Sequence, residues 1–310
     1  MRLKNWQWIL LCIIAVILPM GYCQFWKELP ISIYEGKTAV EILKMMPDRD
    51  KKRLEYFFRE SIGWDALGYV LFGDKPMSFG GYEKKIEPFK NLTSFHYSIS
   101  PRRIQFKNGL ETWKKYEKLF PISRFVVLYE ETPSNVTTLF INRKNFIQTV
   151  ERHIESFKRI LNREVRGEDL LQEGTSKPLL TEVLANHDEL IGILLGFGRE
   201  NAHLYHLCSQ ITSKKEENDF CEKFHFGDPW EKEDEEFEKK FDSIGWVSAY
   251  ITGAHLKNLD LITLPGFCAS IDHPETLHLK QHYLETKEKI ITYYKDKDFL
   301  ETTLAVLISE

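Results

Sequence analysis

The sequence is short of cysteine, of net positive charge and of every short motif that names a chemistry. Five cysteines in 310 residues exclude the disulfide-dense frameworks of small secreted domains. With 42 basic and 46 acidic residues the net charge is −4, which excludes the basic footprint of a nucleic-acid binder. There is no internal repeat and no low-complexity tract. The Gly-x-x-x-x-Gly-Lys phosphate loop, the His-Glu-x-x-His zinc helix and the Gly-x-Ser-x-Gly nucleophile elbow are all missing. What is present is 43% hydrophobic and 28% charged residues, too apolar for disorder and too charged for a polytopic membrane protein.

The first 23 residues differ from the rest. Arg2 and Lys4 precede an apolar run from Ile9 to Met20, and Gly21-Tyr22-Cys23 closes it. A basic start, an apolar middle and small residues at the end are the marks of an export signal. Trp6 to Cys23 spans 18 residues, so a retained single-pass anchor stays open beside a cleaved signal. Met20-Gly21-Tyr22-Cys23 approaches a bacterial lipobox, but Tyr22 is too large for the position before the cysteine. Removing residues 1–23 leaves 40 basic and 46 acidic residues, a net charge of −6, and three cysteines: Cys208, Cys221 and Cys268. Cys208 and Cys221 are the nearest pair, and their bridge would stabilise by ~3 kcal/mol on the chain-entropy model. Three free thiols are the alternative.

Residues 24–310 read as a single domain. Helices are expected over 38–46, 48–58 and 110–119. The segment ALGYVLFGDKPMSF (66–79) reads as two apolar runs around a Gly73-Asp74-Lys75-Pro76 hairpin tip. Phe125 to Tyr129 and Val136 to Ile141 read as a hairpin, followed by an amphipathic helix with Phe146, Val150, Phe157 and Ile160 on one face. Two helices follow, 179–185 and 187 to about 211. The charged stretch 214–242 is an exposed helix or loop. DLITLPGF (260–267) suggests a third strand, and His273-Pro274-Glu275 opens a helical C-terminal region. The fold class is therefore α+β, helix-rich with a small, mostly antiparallel sheet.

Chemistry-bearing residues concentrate around 196–208. Gly196-Phe197-Gly198 lacks the preceding strand and the third glycine of a dinucleotide fingerprint. Arg199 and Asn201 are candidate ligand-binding residues beside it. Glu200, His203 and His206 are the candidate acids and bases, should the chain be a hydrolase or transferase. His203, His206, Cys208, Cys221 and His225 are suitable zinc-ligand types, but their spacing matches no zinc motif, and no metal or other cofactor is implied.

Three segments together, 66–79, HDELIGILLGFGRENA (187–202) and the tail from DLITLPGF through YKDKDFLETTL (294–304), resemble an uncharacterised protein family of chlamydia-like intracellular bacteria. No activity is known for that family, so the resemblance implies a bacterial envelope location and assigns no residue a role. The expectation from sequence is an exported or envelope-associated binding protein with an unidentified protein or small-molecule partner. It touches a membrane only through its N-terminal segment. The rival is an enzyme using Glu200, His203 or His206.

Overall fold

The computed structural model describes residues 31–34, 36–84, 101–244 and 262–309. The expected signal or anchor at 1–23 and part of the expected strand at 260–267 lie outside them. The chain divides into two compact units, residues 1–38 and residues 39–310. In the first, Ile31–Tyr34 forms a 3-10 turn. Among the described residues no helix is long and apolar enough to cross a membrane.

The second unit opens with α1 (Ala39–Met45), α2 (Asp48–Gly63) and the short buried helix α3 (Leu67–Phe72). Strand β1 (Met77–Glu83) follows, then α4 (Pro101–Tyr116). Strands β2 (Phe125–Glu131) and β3 (Asn135–Asn142) form the expected hairpin. The 66–79 segment is a helix running into a strand, not a hairpin. Residues 67–72 have no alternation of apolar and polar side chains, and Leu67 to Leu71 are all buried, which suits a short core helix.

The sheet is antiparallel in the order β1-β3-β2. Met77 pairs with Ile141 and Tyr82 with Val136, while Leu128 pairs with Leu139. Successive side chains of β3 point to opposite faces, yet Leu139, Phe140 and Ile141 are all buried. Both faces of this central strand are therefore covered. Phe140 meets Phe57 of α2 at 6.0 Å, and Phe57 meets Phe106 of α4 at 5.2 Å. Leu139 and Ile141 join a core with Phe146, Val150, Phe157, Leu170, Leu190 and Ile193. The sheet is a middle layer between two groups of helices.

The second group begins with α5 (Arg143–Arg152), capped by Asn142, whose Oδ1 accepts from Asn145 N at 3.2 Å. The expected single helix over 146–160 breaks at His153 into α5 and α6 (Ile154–Leu161), although its apolar face packs on the hairpin as the pattern predicts. Next come α7 (Gly167–Gly174), a π turn at Leu179–Val183, α8 (Asp188–Leu194) and α9 (Arg199–Ser209). The expected helix 187–211 is thus two helices.

The charged stretch is helical, as α10 (Lys214–Phe224) and α11 (Glu231–Ile244). Between them β4 (Phe226–Gly227) pairs with β5 (Ala269–Ser270). Residues 262–267 are irregular, so the third strand expected there is absent; its Pro265-Gly266 pair interrupts the backbone ladder. The chain ends in α12 (Pro274–Tyr294) and α13 (Phe299–Ile308), N-capped by His273 and Asp298. The molecule is helix-rich α+β with a small antiparallel sheet, as the sequence pattern predicts.

Candidate functional site

The Gly196-Phe197-Gly198 turn joins α8 to α9 and builds the site. At Gly196 φ is +74° and at Gly198 +85°, a region that glycine enters without cost. Phe197 N donates to Gly192 O at 3.1 Å and Gly196 N to Ile193 O at 3.0 Å, the paired bonds of a Schellman helix end. The carbonyls left over are also used. Lys75 Nζ donates to Leu195 O, and Tyr283 Oη donates to Gly196 O at 2.6 Å. At the start of α9, the Glu275 carboxylate accepts from Arg199 N and Glu200 N, both at 3.0 Å. This helix start is closed by the protein itself. A Cβ on Gly198 would lie 2.4 Å from Glu275 Cδ.

A cavity of about 490 Å³ lies between the α8–α9 pair, the edge strand β1 and residues 265–268. Its wall is mostly apolar and aromatic, with Trp64, Phe79, Ile191, Leu195, Phe197 and Phe267. Phe197 and Phe267 stack at 4.9 Å. Phe79 and Tyr205 are largely exposed. Such a volume suits a small organic molecule.

Two polar groups on this wall stand out. Lys75 is 2% exposed, and no carboxylate among the described residues forms an ion pair with it. Its Nζ lies 4.7 Å from the centre of the Phe197 ring. Burial brings its ammonium down to about 7, with only the charge of Asp74 opposing. The hydroxyl of Ser78 is buried without a hydrogen-bond partner, which costs the fold stability. Lys75 was expected at an exposed hairpin tip; it is instead in the interior, because Pro76 leads into β1 rather than around a turn.

The other face of the α8–α9 pair carries a polar cleft of about 330 Å³, lined by Glu155, Ser156, Arg159, Glu189, Arg199, Glu200 and His203. Glu189 is buried and accepts from Arg159 Nη2 at 2.8 Å. His203 Nδ1 lies 3.0 Å from its other oxygen. If Nδ1 donates this bond, Nε2 is a free base. Arg199 Nε sits 3.3 Å from Glu200 Oε1.

The structure therefore brings together Arg199, Glu200 and His203, and separates the other two candidates. Asn201 is buried and both ends of its amide are engaged. Its Nδ2 donates to Phe197 O at 3.0 Å, and its Oδ1 accepts from Ser270 N at 3.2 Å and Thr276 Oγ1 at 3.1 Å. It holds the cavity wall rather than offering a free ligand contact. His206 stacks on His187 at 4.3 Å and lies 3.8 Å from Asp188 Oδ2, away from the cleft. Burial, then the neighbouring His206, hold the His187 ring below its usual value.

The Cys208–Cys221 bridge is not formed; both are free thiols, as is Cys268. Burial first, and then Cys221, push the Cys208 thiol up. Among the described residues no group of three or more His, Cys, Asp or Glu side chains is placed to hold a metal ion.

Sequence reasoning missed Ser78 and Arg159 as site residues, and it took the 73–76 segment with Lys75 as an exposed binding tip rather than an interior one. The available signal was a lysine and a serine inside an otherwise apolar fourteen-residue stretch (66–79). No protein-family model, curated protein or solved structure matches the chain.

Proposed function

We propose that the chain is an exported binding protein that holds a small, largely apolar molecule with one polar end in the cavity beside Lys75. The observation that carries this reading is the cavity itself. Aromatic side chains line it, and the buried ammonium of Lys75 borders it. Residues 1–23 support the export part, and N-terminal sequencing of the mature protein from its native host tests that part.

Ligand binding is tested by thermal unfolding with a panel of small aromatic alcohols, carboxylates and aldehydes. A ligand at 100 times its Kd adds about 2.7 kcal/mol, a rise of several degrees in Tm. Ile191→Trp fills part of the cavity from α8 and removes the rise. A panel with no effect on wild type overturns the reading.

A second reading has its own observation. The buried Glu189 holds His203 at 3.0 Å over a cleft that also contains Glu200, the arrangement of a carboxylate-oriented general base. It supports a hydrolase or transferase. Hydrolysis of a panel of activated carboxylate and phosphate esters tests it. Activity lost in His203→Gln and kept in His206→Gln supports this site, and equal behaviour of the two variants contradicts it.

A further inference from the structure

Resting on the cavity reading, we propose that Lys75 is an imine-forming amine and that the molecule held in the cavity carries an aldehyde or ketone on an apolar body. Four observations combine. The amine is enclosed, with 2% of the residue exposed. It faces no carboxylate partner among the described residues. It donates one hydrogen bond, to Leu195 O, which fixes the nitrogen while leaving its lone pair for an electrophile. And it borders a space of about 490 Å³ with aromatic walls, large enough for the rest of such a molecule.

The chemistry balances without an oxidant or reductant. The Nζ lone pair forms a bond to the carbonyl carbon, and the C=O π pair moves to oxygen. Oxygen gains one proton and nitrogen loses one, giving a carbinolamine. The C–O bond then breaks, the second N–H proton leaves with the oxygen as water, and a C=N bond remains.

The amine must be neutral to attack. Desolvation brings Lys75 down to about 7, and the charge facing it is Asp74. The packed neighbours from α12 are Tyr283, whose hydroxyl is committed to Gly196 O, and His282, 2.7 Å from Asp74 Oδ1. An ordinary surface lysine stays protonated up to ~10.4.

The test uses the full chain, 2-naphthaldehyde and sodium cyanoborohydride at neutral pH, with peptide mapping by mass spectrometry. The expected result is a naphthylmethyl adduct on Lys75, formed at least about tenfold faster than on any surface lysine. Lys75→Met loses it. Ile191→Trp keeps the amine but fills the cavity, and it also loses the adduct; circular dichroism confirms that both variants are folded. Excess 2-naphthalenemethanol, which has the same shape but no carbonyl, competes and slows labelling. Adducts spread evenly over the lysines overturn the proposal. If the alcohol binds and raises Tm but Lys75 is never labelled, the imine fails while the cavity reading survives. If neither compound binds, both fail.

Discussion

Lys75 costs the fold stability, and the sign of that cost follows from its protonation. In the unfolded chain Lys75 keeps its proton up to 10.5, and in the folded chain only up to about 7. Between these values the unfolded state binds more protons, so stability rises with pH. Below 7 both states are charged and the full cost of the buried ammonium remains. Lys75→Met should therefore be more stable than wild type, with a gain that is greatest below neutrality and shrinks toward alkaline pH. Urea unfolding at about pH 6 and about pH 10 measures it. A gain that does not depend on pH contradicts a charge origin.

Asn201 is the opposite case. Asn201→Ala leaves Ser270 N, Thr276 Oγ1 and Phe197 O without their partner and should cost about 2–4 kcal/mol. Sequence shows that 196–203 is rich in polar side chains. It does not show which point inward, since Arg199, Glu200 and His203 share one helix face only because α9 begins at Arg199. The burial of Glu189 and Lys75 was not legible for a related reason. A charge beside apolar residues looks solvent-facing until the fold encloses it.

At the scale of elements, the α8–turn–α9 unit positions everything of interest. It puts Ile191 and Leu195 toward the cavity and Glu189 toward the cleft. Gly198 is its least replaceable residue, at φ +85° and ψ 158°, with the Glu275 carboxylate where a Cβ would go. Gly198→Ala should destabilise by about 2 kcal/mol or more, read from the denaturation midpoint at unchanged m-value. Glu275→Gln in the same background gives no relief, because the obstacle is the shape of the side chain rather than its charge.

The β2–β3 hairpin, the amphipathic face of α5 and α6 and the proline-started α12 were legible from residue pattern, because each is decided locally. The break between α8 and α9 was signalled by two glycines but not separable from a weak helix by periodicity. The helix-to-strand passage at 67–83 was not legible. An almost wholly buried helix of six residues leaves no 3.6-residue pattern, and its glycine-proline boundary looks like a hairpin turn.

At the scale of the molecule, β3 is covered on both faces, and this places the cavity. With helices on either side, the cavity opens at the β1 edge, one of the sheet's two edges, where Lys75 meets the end of α8. The apolar cavity and the polar cleft then lie on opposite faces of one helix pair, so a ligand in the first is separated from His203 by α8 and α9 themselves. Residue pattern predicted the helix-rich α+β class but not this layering, which depends on pairings such as Phe57 with Phe140 across 83 residues of sequence.

The most direct test of the central claim is a methyl NMR titration of the full chain with 2-naphthalenemethanol. The account predicts saturable shifts at the methyl groups of Ile191, Leu195 and Ala202, which line the cavity, with those of Ile42 and Leu304 unmoved. Shifts absent from the cavity methyls, or no greater there than at Ile42 and Leu304, would contradict it.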